Sequence, residues 1–210
     1  MNIAVIAANG RSGKAFVKAA LLAGHTIRAG SFTPGQLEPH PSLVEVKCDA
    51  TNEEDLKNLI AGQDAVATFI GHVKGSQPDV QTIATKKIVE VMQSSGVQRI
   101  ASLTGTGVRF PGDHITLTDR FLNTAVSIID PNRVKDGRDH VEVLKSSGVE
   151  WTVVRVLKLQ DISPKPFSLQ ANGPTKPFVC REDVAQAVLQ VLEEHSFVRQ
   201  APIIAMRNPA

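Results

Sequence analysis

The sequence predicts an α/β protein built on a doubly wound parallel sheet, and three observations carry that prediction. The chain opens with an apolar run, NIAVIAA, that breaks at a small-residue turn, NGRSGK, and continues as a helix. Segments with the character of strands covered on both faces then alternate with segments of helical periodicity. Val, Ile, Leu and Ala carry the hydrophobic share: Phe occurs 8 times, Trp once and Tyr never, which suits strands buried on both faces.

Each element follows in order. Asn2 to Ala8 reads as the first parallel strand because nearly every position is apolar. Arg11 to Ala23 is the helix that follows. His25 to Ser31 and Leu43 to Lys47 are the second and third strands, separated by the Pro-rich loop Thr33 to Pro41. Asn52 caps a helix through about Ile60, closed by Gly62, and Asp64 to Ile70 is a fourth buried strand ended by Gly71. Val80, Ile83, Ile88, Val89 and Met92 form a helical stripe over Val80 to Ser95, before the fifth strand, Arg99 to Leu103. The stretch 104–133 is longer than an ordinary connection. It holds an amphipathic segment, Thr116 to Ile129, with Leu117, Phe121, Leu122, Val126 and Ile129 on one side, and reads as a substrate lid. Lys135 to Ser147 is a further helix and Val149 to Leu157 the sixth strand. After a loop rich in Pro and Gly, Arg181 to Glu194 is the last long helix, and Ala201 to Ala205 closes the sheet edge. Helices on both faces of such a sheet make a Rossmann-like, three-layer α/β/α architecture. With no linker-like segment, residues 1–210 are expected to form a single domain.

Composition narrows the function classes. A formal charge of +2 and a pI near 8.6, with Lys and Arg scattered, argue against a nucleic-acid surface. Cys48 and Cys180 lie far apart without metal-ligand company, which predicts reduced core thiols and no metal centre. The opening apolar run lacks a basic flank and is too short to span a bilayer, so a cytoplasmic protein without membrane contact is expected.

The opening turn carries the first functional signal. In the series Ala7, Gly10, Gly13, small residues fall where backbone must approach a phosphate and where helix must pack closely on strand. The helix then directs its N-terminal amides and positive dipole end at whatever fills the turn, and a pyrophosphate meets that demand. An ordinary strand-to-helix turn, with Gly10 at positive φ and Gly13 there for packing, is the alternative.

Several further segments, AANGRSGK, CDATNEEDLKNLIAGQDAV, FIGH, SSGVQRIASLTGTGV, DGRDHVEVLKSSGVEWTVVR and VCREDVAQAVLQVL, resemble the atypical short-chain dehydrogenase/reductases of the NmrA-like and biliverdin-IXβ/flavin reductase-like group. The resemblance covers nearly the whole chain. It implies that Asn9, Gly10, Arg11 and Ser12 hold the phosphates of a nicotinamide dinucleotide. It further implies that Asp49 and Ala50 flank the adenine, and that Ile70, Gly71 and His72 pass along the ribose and nicotinamide side. The other reading of Asp49 is a turn acid ahead of a helix.

Charge bears on which dinucleotide binds. An NAD-selective site usually ends its second strand with an acid, whereas here that end reads Arg28, Ala29, Gly30, Ser31, Phe32. Arg11 and the Ser31 hydroxyl would instead meet a 2′-phosphate, which favours NADP over NAD. Phe32 stands where the group often has Arg, and either packs on adenine or covers the sheet edge.

Short-chain dehydrogenases that oxidise alcohols use a Tyr hydroxyl assisted by a nearby Lys, and this chain has no Tyr. Hydride transfer to a planar acceptor such as a flavin, quinone or tetrapyrrole needs mainly positioning. Thr104, just past the fifth strand, is a candidate to hydrogen-bond nicotinamide or substrate, or else a turn-capping hydroxyl. His140 is a candidate proton donor titrating near neutrality, or else a helix histidine bonded to a carbonyl. The expected partner is thus a small-molecule acceptor. A non-catalytic dinucleotide sensor and a sugar epimerase or dehydratase are the alternatives.

Overall fold

The chain enters its sheet in the middle. In the computed structural model, which describes residues 1–73 and 75–206, β1 (Asn2–Ile6) pairs in parallel with β2 (Thr26–Ser31) on one side and β4 (Ala65–Thr68) on the other. β3 (Leu43–Lys47) lies outside β2, while β5 (Arg99–Gly105) and β6 (Glu150–Val156) extend the sheet beyond β4. The full order is β3-β2-β1-β4-β5-β6-β10-β8. Winding therefore reverses direction between β1 and β4, which creates a switch point at the C-terminal ends of the parallel strands.

Two-residue periodicity distributes the strand side chains between two cores. Ile3 and Val5 of β1 pack with Phe16, Val17 and Ala20 of α1 (Arg11–Leu22) and Val184, Val188 and Val191 of α6 (Arg181–Glu193). Ala4 and Ile6 face the opposite layer. There Leu56 and Leu59 of α2 (Glu53–Ile60), Ile88 and Met92 of α3 (Val80–Ser95), and Val141 and Leu144 of α5 (Pro131–Ser146) form the second core. Each Val, Leu, Ile, Met or Phe side chain among these contributes about 1.5–3 kcal/mol on full burial. α4 (Leu117–Ile129) packs against α5 and leaves Leu117, Phe121, Ile128 and Ile129 exposed.

The predicted architecture is present, with differences in its second half. β10 (Ile203–Met206) does not close the sheet but lies between β6 and β8 (Phe167–Gln170), the latter running antiparallel as the edge strand. The loop read from Pro and Gly also holds β7 (Lys158–Gln160) and β9 (Phe178–Cys180), which pair with each other. These strands are too short for a two-residue alternation to stand out. α5 begins at Pro131 rather than Lys135, because the Asp130 carboxylate caps it by accepting from Arg133 N. Cys48 and Cys180 are free and buried. Burial pushes their thiols up to about 12 and about 11, respectively. Among the described residues no helix is long and apolar enough to cross a membrane.

Candidate functional site

The glycine turn follows β1 at the switch point. Ala7, not Gly10, carries the positive φ, at 59°, a conformation that costs an L-residue about 1–2 kcal/mol. Gly10 has φ −66° and ψ 160° and is the N-cap of α1. The alternative reading, an ordinary turn with Gly10 at positive φ, is corrected on that point, since the sharp bend comes directly at the end of β1. Gly13 is needed for packing: a Cβ there would lie 2.4 Å from the Ala7 carbonyl oxygen and 2.7 Å from that of Ala8. The helix therefore sits directly on the turn.

Helix capping distinguishes this corner. The first amides of any helix lack intrahelical acceptors, and elsewhere in the fold side chains supply them. Asn52 caps α2, Thr116 caps α4, Asp130 caps α5 and the Cys180 thiol caps α6. α3 receives the Asp136 carboxylate on the amides of Gln81 and Thr82. Among the described residues α1 has no side-chain cap and no acid in its first turn. Its amides at Arg11, Ser12 and Gly13 fit a pyrophosphate in donor type and in the sign of the helix dipole.

The other sequence-predicted residues follow the C-terminal ends of adjacent strands. Asn9 Nδ2 donates to the Thr33 carbonyl at 3.2 Å, tying the turn to the loop after β2. Ser31 is buried at the end of β2, and the Phe32 side chain beyond it is exposed. The Asp49 side chain accepts from Thr51 N at 2.9 Å and Thr51 Oγ1 at 2.8 Å, a turn just ahead of α2, and Ala50 is half-buried beside it. Ile70 packs on the second core, and Gly71 is exposed. Arg11 is also exposed and lies 3.8 Å from Asp161, a residue after β7 that pairs with Arg181 as well. Sequence reasoning missed Asp161 because it approaches the turn only through the fold.

A second cluster surrounds the end of β5. Thr104 is buried, and its hydroxyl occupies space beside Gly137 of α5, 2.9 Å from where a Cβ on that glycine would stand. His140, one turn further, is fully buried, with Nδ1 2.9 Å from the Gly137 carbonyl and Nε2 3.2 Å from Ser102 Oγ. Nδ1–H donates to that carbonyl, so Nε2 accepts from the Ser102 hydroxyl. Burial pushes its pKa down to about 4, outweighing the Gly137 contact and the Asp136 charge. The expectation that His140 titrates near neutrality in the cleft is corrected accordingly.

Asp136 is the residue whose importance the sequence did not reveal. Its carboxylate accepts from Gln81 N at 2.9 Å, Thr82 N at 2.8 Å, Thr82 Oγ1 at 2.5 Å and His72 Nε2 at 2.8 Å. Burial alone would raise its pKa, but these bonds outweigh burial and hold it below the ordinary carboxylate range. Only the packing of α5 on the first turn of α3 and on the segment after β4 brings these partners together.

The profile of the NAD(P)H-binding family matches residues 7–195. The chain belongs to that family. A 3-beta-hydroxysteroid dehydrogenase from Mycolicibacterium neoaurum is 29% identical over 132 residues, covering 57% of this chain and 36% of the relative. The match thus spans only about a third of that curated protein. Among solved structures, a wide-type short-chain dehydrogenase/reductase from Veillonella parvula in complex with NADP superposes with a TM-score of 0.82 at 16% identity, covering 99% of this chain and 95% of that one. A Streptococcus pneumoniae protein assigned as an NADH-flavin reductase gives a TM-score of 0.75 at 23% identity, covering 99% of this chain and all 100% of that one. These likenesses establish the Rossmann-like fold, and family membership establishes NAD(P)H as the ligand class.

Proposed function

We propose that the chain is an NAD(P)H-dependent reductase that prefers NADPH and passes hydride to a planar acceptor of the flavin, quinone or tetrapyrrole kind. The observation that carries this reading is the uncapped first turn of α1 at the switch point, with the Arg11 guanidinium beside it and no acid at the end of β2. The bound nicotinamide supplies hydride. Asn9, Gly10, Arg11 and Ser12, in the turn that Ala7 opens, hold its phosphates, Ser31, Phe32, Asp49 and Ala50 flank the adenosine half, and Ile70 to His72 with Thr104 line the nicotinamide half. The absence of Tyr disfavours the usual alcohol dehydrogenase chemistry. Segment 104–133 serves as the lid, and the exposed apolar side chains of Leu117 and Phe121 suit a flat, apolar acceptor. The whole chain acts as one dinucleotide-binding unit in the cytoplasm.

Absorbance at the nicotinamide band, followed with NADPH and either FMN or a soluble quinone, tests this reading. Steady consumption is the expected result. Tight NADP binding without consumption across such acceptors would instead indicate a dinucleotide sensor. Arg11→Ala should weaken NADP on the order of tenfold, the scale of one charge-assisted contact, while NAD changes little. Equal losses for both dinucleotides would remove Arg11 from the 2′-phosphate.

A further inference from the structure

We propose that His72 is the proton-transferring side chain of this site and that Asp136 is its positioning residue, an inference that rests on the reductase reading but is tested separately from it. His72 lies just past the end of β4, beside the switch point, with its side chain 11% exposed. Its Nε2 lies 2.8 Å from Asp136 Oδ2, while Nδ1 has no hydrogen-bond partner among the described residues. An ionised carboxylate only accepts, so Nε2 carries the proton in that contact and Nδ1 is the atom that gains or loses one.

The carboxylate is firmly held. Asp136 belongs to α5 but is bonded to the first turn of α3 through Gln81 and Thr82. The Gln81 side chain in turn donates to the Leu103 carbonyl at 3.1 Å, next to Thr104. Imidazole, carboxylate and Thr104 hydroxyl thus share one corner at the ends of β4 and β5. His140 is fully buried there with both ring nitrogens engaged, so it has no path to a substrate.

Reduction of a quinone- or carbonyl-type acceptor consumes two electrons, delivered with the hydride of the bound nicotinamide, and one proton. The Nδ1–H bond of the imidazolium breaks as the O–H bond of the product forms. The ring becomes neutral with Nε2–H still donating to Asp136, and solvent restores the proton. Among the described residues, Lys135 of α5 lies in the field of Asp136 and of Asp79 ahead of α3 but is tied to Asp139, and the buried His140 of α5 also feels the Asp136 charge. β5 contributes the neutral Thr104.

Dinucleotide binding tests this placement without turnover. The oxidised nicotinamide ring is cationic and the reduced ring neutral, so an adjacent imidazolium repels only the former. For the wild-type protein the ratio of Kd for NADP+ to Kd for NADPH should rise on the order of tenfold once acidification has placed a proton on Nδ1. His72→Gln keeps an N–H for Asp136 but cannot titrate, and its ratio should be independent of pH. In the wild-type protein, NMR of the His72 ring should show NADP+ disfavouring the doubly protonated ring while NADPH does not. A flat wild-type ratio, or the same slope in both proteins, overturns the proposal. With a soluble benzoquinone as acceptor, His72→Gln should lower kcat on the order of a hundredfold with little change in KM, and abolish the fall in rate as pH rises. If the wild-type protein consumed no NADPH while the binding slope persisted and vanished in His72→Gln, the reductase reading would fail and the placement of His72 would stand.

Discussion

A buried imidazole that stays neutral makes stability depend on pH, and His140 is such a group. Its pKa is pushed down to about 4 in the folded protein, whereas an unfolded histidine titrates near about 6.5. Between those values the unfolded chain binds more protons, so stability rises with pH across that window. The contribution is complete above the unfolded value and is lost as pH falls toward 4, an effect of about 3 kcal/mol. Asp113 and Asp136 act in a lower window, because their folded pKa values lie below the ordinary carboxylate range. Their share is present above that range and disappears only as pH falls through the folded values. Urea unfolding at about pH 7 and about pH 4.5 should therefore show a steep loss in the wild-type protein and a much shallower one in His140→Gln. Equal slopes would mean that His140 is not the group that titrates.

At the scale of elements, the seat of α1 on the turn after β1 has almost no tolerance. Gly13→Ala would drive a Cβ against the carbonyl oxygens of Ala7 and Ala8, both backbone atoms. The helix must lift, and the expected cost is about 1–3 kcal/mol together with weaker NADPH binding. Thermal unfolding and calorimetry of that variant check both parts, and an unchanged protein would show that the helix does not rest on the turn. This contact was legible in the sequence because small residues at a fixed spacing have few other uses. β3 and α3 were likewise legible to their ends, since a sustained helical stripe, or a short Val-rich segment set off by a Pro-rich loop, needs no tertiary context. The positive φ at Ala7 was not, because nothing in an Ala residue announces that conformation. Neither was the role of Asp136, whose bonds depend on α5 meeting the first turn of α3. β7, β8 and β9 escaped for a related reason: their pairing partners, not their own periodicity, make them strands.

At the scale of the whole molecule, one guanidinium joins stretches that are distant in sequence. Arg155 of β6 is fully buried and donates through Nε to the Ala201 carbonyl at 2.7 Å, ahead of β10. Its Nη1 reaches the Val108 carbonyl at 3.0 Å and its Nη2 the Ala171 carbonyl at 3.1 Å. Both also meet Asp113, at 2.6 and 2.8 Å, in a bidentate pair that is almost wholly buried, and the guanidinium carbon lies 4.8 Å from the centroid of the Phe110 ring. The start of the 104–133 segment is thereby anchored to the sheet, while α4 beyond it keeps its apolar side chains exposed. Arg155→Met keeps much of the packing but strands the Asp113 charge. Removing one partner of a buried pair typically costs about 3–5 kcal/mol, mostly as the penalty on the charge left behind. Adding Asp113→Asn removes that charge, so the double variant should recover part of the loss. Denaturant unfolding of both variants checks this. A single variant within about 1 kcal/mol of wild type, or a double variant no better than the single, would show that the anchor does not depend on the ion pair.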